Sequence, residues 1–180
     1  RVQTLDGYTT GSYLAVLSPS GEMSLGLADM NIIEKMDPEW MKMNQSVIAG
    51  AHFVVADNNL RKDTMESLFQ QCLVLHKKLI IIGVSGPKTK RLPERLDGVY
   101  LTIFNLDESQ SYFHSTERDP LYFAKRWVDA GANHAIVTNG ANSVAYVSID
   151  KEPKLKHVKP AKYVVDATGA GDAFSSGVIY

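Results

Sequence analysis

The chain has 180 residues, is 44% hydrophobic and 22% charged, and carries a formal net charge of −1. That length holds one domain with a real core, and the composition is ordinary for a folded globular protein. The near-neutral balance gives no basic excess for nucleic acid and no acidic tail, and no apolar run approaches the length of a bilayer span, so neither nucleic acid nor membrane is an expected partner.

Arg1-Val-Gln-Thr-Leu-Asp6 has no signal-peptide core, and the one cysteine, Cys72, cannot close an internal disulfide. Cys72 lies in an apolar, helix-like stretch and reads as a buried, inert thiol in a reducing, cytoplasmic compartment. The five histidines show no metal-ligand spacing with each other or with Cys72. The chain lacks an initiating Met and stops in helix-like sequence, so both ends read as cut and the domain expected over residues 1–180 reads as incomplete.

Ser12–Ser18 and Glu22–Leu27 flank Pro19-Ser20-Gly21, two short apolar runs about turn residues that predict a β-hairpin. Asp37-Pro38 then opens a helix to about Gln45, with an N-cap aspartate and a first-turn proline. From Ala51 the rhythm changes. A strand is expected over Ala51–Ala56, a helix from Lys62 to about Lys77 and a buried strand over Leu79–Val84. A further strand over Val99–Phe104 leads to helical sequence after Leu106 and a helix from Arg118 to Ala130, closed by Gly131. His134–Thr138 and Ser143–Ser148 read as paired strands about Asn139-Gly140, and Lys151–Lys162 as a polar, proline-containing connector. Strands alternating with helices predict an α/β fold, a mostly parallel sheet with helices on both faces. Ligands bind such sheets at the carboxyl ends of the strands.

The most informative stretch is Tyr163-Val-Val-Asp-Ala-Thr-Gly-Ala-Gly-Asp-Ala-Phe174, read as a short apolar strand, a tight glycine turn and the start of a helix. Glycines allow positive φ and close approach of a ligand. The first amides of the helix lack internal partners and, with the helix dipole, suit phosphate oxygens. Asp172 then lies where it could take a proton from an attacking hydroxyl while the amides stabilise the transferred group. A Rossmann turn would need glycine at Phe174 and a P-loop would need Gly-Lys, which is absent. The alternative is a plain strand-to-helix turn with Asp172 complementing the dipole.

Asp166-Ala-Thr-Gly-Ala-Gly-Asp-Ala-Phe174 resembles the C-terminal signature of the ribokinase-like carbohydrate and nucleoside kinases, the PfkB family. The resemblance implies a ribokinase-like fold with a partial β-lid. It makes Asp172 the catalytic base and Gly169, Ala170 and Gly171 an anion hole. Asp166 and Thr168 fall where relatives help bind an activating monovalent cation such as K+. Asn105-Leu-Asp-Glu108 resembles the family's Asn-x-x-Glu element, with Asn105 toward the phosphates of ATP and Glu108 acting on Mg2+ through water; alone, it also reads as a helix N-cap with an acidic first turn. Thr138-Asn139-Gly140 resembles the Thr-x-Gly element bordering the nucleotide, and alone reads as a hairpin turn.

The first half is similar to the pseudouridine kinases of that family. Thr9–Leu17, Gly21-Glu-Met23 and Ala28-Asp-Met-Asn-Ile32 resemble their lid, a segment spanning residues 9–32; Val55-Ala-Asp-Asn-Asn59 and Val84-Ser85 with Lys88 and Lys90 resemble further segments. Asp29, Asn31, Asp57 and Asn59 are the candidate substrate ligands, or loop residues doing turn chemistry. The acidic-Pro pair usual before Val-Ser is replaced here by Ile82-Gly83, and the Lys-Pro before the Asn-x-x-Glu element by Ile103-Phe104.

The resemblance implies phosphorylation of a nucleoside 5′-hydroxyl, foremost that of pseudouridine. The alternatives are a related sugar or nucleoside kinase, or a catalytically silent fragment or isoform acting as a binding module. A homodimer through the lid and fusion to a pseudouridine-cleaving glycosidase are both found among relatives and stay open at this level.

Overall fold

The computed structural model describes residues 3–18 and 23–180, in two compact units: Asp37–Ala161, and residues up to Met36 with Lys162–Tyr180. The expected turn at Pro19-Ser20-Gly21 and the Gly21-Glu22 part of the lid resemblance lie outside the described residues.

The first unit opens with α1 (Pro38–Met43). As expected, Asp37 caps it, accepting from the Trp40 amide at 2.8 Å, with proline in the first turn. The helix stops two residues early because the Asn44 side-chain amide bonds back to the Trp40 carbonyl at 2.8 Å, competing with the helical ladder. A second short helix, α2 (Gln45–Gly50), follows and was not anticipated.

Six strands then form one sheet in chain order: β3 (Phe53–Asp57), β4 (Lys78–Ile82), β5 (Val99–Asn105), β6 (His134–Asn139), β7 (Ser143–Ser148) and β8 (Lys151–His157). The pairs from β3 to β6 are parallel, and the pairs β6–β7 and β7–β8 are antiparallel. Helix α3 (Lys62–Val74) joins β3 to β4, and α4 (Leu106–Phe113) with α5 (Pro120–Asp129) joins β5 to β6. Helix α5 begins at Pro120, two residues later than expected, because the Asp119 carboxylate caps it by accepting from the Leu121 amide at 2.8 Å.

Leu79, Ile80 and Ile81 are consecutive and all buried, as are Leu101–Phe104. Successive strand residues point to opposite faces, so both faces of the sheet are covered at β4 and β5, the condition that parallel strands require. Each such aliphatic side chain contributes roughly 1.5–3 kcal/mol by burial. Beside them Trp127, fully buried on α5, stacks on Phe104 and on Tyr112, with ring centroids 4.3 and 4.5 Å apart.

The expectation of a connector over Lys151–Lys162 is corrected by β8, which pairs with β7 from Lys151 to His157. All seven of its residues are exposed. Lysines and a proline are what an outermost strand tolerates, since one side of its backbone has no ladder to make. Pro153 falls where the register is irregular, opposite the stretch between Tyr146 and Ser148. The sequence reads as a linker because that polarity hides the pairing.

In the second unit, β1 (Ser12–Leu17) and β2 (Met23–Asp29) form the expected antiparallel pair. A 3-10 turn over Asn31–Lys35 follows, and α6 (Ala170–Ile179) closes the chain. The strand expected at Tyr163–Val165 is not formed: the segment is irregular and its three side chains are 62–82% exposed. β-propensity reflects fit to a neighbouring pleated surface, and no strand pairs with this run among the described residues.

Candidate functional site

The residues picked out from sequence fall on both units. Asp57, Asn59, Asn105, Glu108, Thr138 and Gly140 belong to the sheet unit; Asp29, Asn31, Asp166, Thr168 and Gly169 to Asp172 belong to the other.

In the sheet unit, parallel register brings the strand ends together. Asp57 lies opposite Ile82, Ile82 opposite Ile103, and Asn105 opposite Thr138. Asn105 and Thr138 are therefore neighbours at the carboxyl edge, and Gly140 follows β6 in the turn to β7 with φ +50°.

Asn105 is the N-cap of α4. Its Oδ1 accepts from the Glu108 amide at 2.8 Å, and Glu108 Oε2 accepts from the Asn105 amide at 2.9 Å, a closed capping box. The helix-cap reading of this element is thus realised. Ser109 Oγ donates to the Asn105 carbonyl at 2.8 Å and accepts from Trp127 Nε1 at 3.0 Å, which ties the cap to the aromatic core. Glu108 is 4% exposed. Burial pushes its carboxyl above the ordinary range; the Asn105 amide opposes that rise, and neighbouring Asp107 adds to it.

Asp57 and Asn59 form a local turn: Asp57 accepts from the Asn59 amide at 2.9 Å and from its side-chain nitrogen at 2.8 Å. Lys88 donates to Asn59 Oδ1, so this side chain is held between Lys88 and Asp57, and Arg91 donates to the Asn59 backbone carbonyl. Asp29 and Asn31 repeat the pattern, with Asn31 Nδ2 donating to Asp29 Oδ1 at 3.0 Å and Thr9 Oγ1 donating to Oδ2 at 3.3 Å.

At the head of α6, Gly169 takes φ +77° and ψ 1°, a left-handed conformation that costs an L side chain roughly 1–2 kcal/mol. The Ala170 amide bonds to the Ala167 carbonyl at 3.1 Å, and Ala173 is the next to bond back, to Gly169 at 2.9 Å. The amides of Gly171 and Asp172 between them make no backbone bond among the described residues, and residues 166–173 are exposed. Asp172 sits in the first turn beside those amides. Asp166 Oδ1 accepts from the Thr168 amide at 2.7 Å, which holds its carboxyl below the usual range.

Two further residues at the carboxyl edge carry no sequence signal for their role. Asn58 is fully buried and its Oδ1 accepts from the Val84 amide at 2.8 Å, joining the end of β3 to the end of β4; between Asp57 and Asn59 it reads as one more turn residue. Gly83 lies directly under the Glu108 carboxylate, a contact only the folded chain reveals. A cavity of about 610 Å³ opens elsewhere on this unit, lined by Lys62, Tyr112, Phe113, His114 and Arg126 among others, and none of the expected site residues lines it. No helix among the described residues is long and apolar enough to cross a membrane.

The pfkB family carbohydrate kinase model matches residues 1–180. The chain is similar to the pseudouridine kinase of Escherichia coli (27% identity over 176 residues, 96% of this chain and 55% of the relative). Among solved structures it is similar to a carbohydrate kinase from Agrobacterium tumefaciens (TM-score 0.78, 29% identity, 98% of this chain and 56% of that one). The Arabidopsis thaliana ribokinase complexed with ribose and ATP shares the fold (TM-score 0.72, 19% identity, 93% and 54% covered). The chain spans about half the length of these relatives. With an Asn-x-x-Glu cap at a parallel strand end, a left-handed glycine opening α6 and a family match over its whole length, the chain belongs to the pfkB family of carbohydrate kinases.

Proposed function

We propose that the protein is an ATP-dependent kinase that phosphorylates the 5′-hydroxyl of a nucleoside, with pseudouridine going to pseudouridine 5′-phosphate. The observation that carries this reading is the head of α6: a left-handed Gly169, two amides without backbone partners and the Asp172 carboxylate in the same turn. Asp172 takes the proton of the acceptor hydroxyl. Of the expected anion hole, Gly169 and Gly171, joined by the Asp172 amide, present backbone N–H groups to the charge that builds on the transferred phosphoryl group, while the Ala170 amide is taken by the Ala167 carbonyl. Positioning and charge stabilisation supply most of the rate in such a reaction.

Thr138 and Gly140 border the nucleotide and Asn105 faces its phosphates. Magnesium, when bound, neutralises phosphate charge. Glu108 would act on magnesium through water; in this structure its Oε2 holds the Asn105 amide. Asp166, kept anionic by the Thr168 amide, together with Thr168 suits a monovalent cation such as K+. Asp29, Asn31, Asp57 and Asn59 serve the nucleoside; their mutual hydrogen bonds fix the side chains in place, which favours rigid recognition.

The 9–32 segment is a lid. Tyr13, Leu14, Val16, Leu25 and Leu27 are 44–60% exposed on its two strands, which supports its pairing with a second copy in a homodimer. Light scattering on the complete protein tests this, and a monomer at all concentrations rules it out. A cytoplasmic location follows from the reading of a nucleoside-metabolising kinase.

Asp172→Asn in the complete protein is expected to abolish turnover while leaving nucleotide binding largely intact. Normal turnover in that variant removes the role given to Asp172. A coupled ATP-consumption assay with pseudouridine, uridine, ribose and fructose identifies the acceptor, and preference for a free sugar overturns the nucleoside assignment.

A further inference from the structure

Gly83 is the first residue beyond β4, and its amide extends the parallel ladder by donating to the Ile103 carbonyl at 2.9 Å. Its φ lies outside the left-handed region, so its backbone does not require glycine. Space does. A Cβ built on Gly83 would lie 2.1 Å from Glu108 Oε2, 2.7 Å from Glu108 Cδ and 2.7 Å from Phe104 Cδ1, all inside van der Waals contact. The Glu108 carboxylate therefore rests on the bare Cα of Gly83, the position from which Oε2 reaches the Asn105 amide.

The two neighbours would respond differently to a side chain at this position. Phe104 is 1% exposed and stacked on Trp127 at an interplanar angle of 14°, so its movement disturbs the packed core. The Glu108 carboxylate is the free end of a flexible side chain, and its displacement costs one hydrogen bond.

We propose that Gly83 is a positioning residue: by lacking a side chain it holds the Glu108 carboxylate in the capping box, drawn back onto the Asn105 amide. In the kinase reading above, on which this part rests, the same carboxylate must turn toward a magnesium-bound water. Capping and metal contact then compete for one group, and the competition raises the magnesium concentration needed for half-maximal activity. This is a feature of this chain's own strand end, beyond the metal role already given to Glu108.

The test is Gly83→Ala in the complete protein, read in two ways. Amide hydrogen exchange comes first, because it does not depend on catalysis. The Asn105 amide is expected to exchange about tenfold faster, the fold-change of one hydrogen bond of ordinary net strength. The Glu108 amide, bonded to Asn105 Oδ1, keeps its protection. Magnesium titration comes second, and half-saturation is expected at a severalfold lower concentration. Glu108→Gln is the control: glutamine still closes the box, so Asn105 protection stays, while the metal response is lost.

Unchanged Asn105 exchange in Gly83→Ala overturns the proposal. Faster Asn105 exchange with an unchanged magnesium requirement leaves the hold of Gly83 on Glu108 standing and overturns the metal role of Glu108. Gly83→Ala combined with Phe104→Leu relieves the second contact, so the same two readouts apply even where the single variant does not accumulate folded.

Discussion

Replacing Trp127 by Phe tests whether the aromatic core supports the candidate site. Trp127 is fully buried, stacked between Phe104 and Tyr112, and edge-on to Phe113 with centroids 4.8 Å apart. Phe keeps one ring and loses the rest of the indole, a loss of about 2 kcal/mol in transfer and cavity terms. It also removes the Nε1–H that bonds Ser109 Oγ at 3.0 Å, about 1 kcal/mol net. The total is about 3 kcal/mol. Ser109→Ala makes the complementary cut, leaving a buried indole N–H without an acceptor at about 1–3 kcal/mol and freeing the Asn105 carbonyl. Because both variants remove the same bond, the double variant should fall short of the sum by about 1 kcal/mol. Urea denaturation followed by far-ultraviolet circular dichroism measures all three, with the slope required to stay constant. A Trp127→Phe loss under about 1 kcal/mol, or strict additivity with Ser109→Ala, would refute the idea that the core and the α4 cap form one hydrogen-bonded unit.

Gly169→Ala should cost about 1–2 kcal/mol, all of it backbone, because an added Cβ there meets no atom within 4 Å while φ stays at +77°. Differential scanning calorimetry and steady-state kinetics on the complete protein should show a small loss of stability beside a drop of at least about tenfold in kcat, since relaxing φ re-aims the amides at the head of α6. Cys72 is 1% exposed, and burial pushes its thiol up to about 11 from 9.0. Its folded value lies above the unfolded one, so its contribution is complete below pH 9 and is lost as pH rises toward 11, on the order of 2 kcal/mol. Cys72→Ala should flatten that alkaline loss in denaturation midpoints measured from pH 8 to 11. Thiol labelling of the native protein should proceed at the rate of opening, and prompt labelling at pH 8 would contradict the burial.

Much of this was legible in the residues because its causes are local. Asp37-Pro38 and Asn105 with Glu108 encode their own helix starts, and the run Leu79–Ile81 encodes a doubly covered strand. The misreadings come from partners the sequence does not display. The polar run of β8 becomes a strand because β7 offers it a free edge, whereas Tyr163–Val165, far richer in β-formers, stays irregular without one. Within the candidate site, residue types carry the hydrogen-bond chemistry but not the crowding. Asn58 differs from its neighbours Asp57 and Asn59 only in being wholly buried, and Gly83 matters for what lies above its Cα.

The carboxyl edge of the sheet thus depends on its interior. Trp127 bonds Ser109, Ser109 bonds the Asn105 carbonyl, Asn105 and Glu108 cap α4 reciprocally, and Glu108 rests on Gly83 at the end of the next strand. Each hydrogen-bonded link consumes a group that would otherwise be an unpaired donor or acceptor near the end of a buried strand, so these side chains are held in place, the Glu108 carboxylate by one bond alone. For a kinase, whose rate comes largely from holding charge in fixed positions, such a chain is useful only if its last carboxylate can still leave the cap when metal and nucleotide arrive. Under the proposed function, that release would break a single hydrogen bond and leave the Asn105 side chain bonded to the Glu108 amide. In the kinase proposed above, a fixed edge with one releasable carboxylate would let Asn105 and Glu108 serve both the helix cap and the nucleotide site.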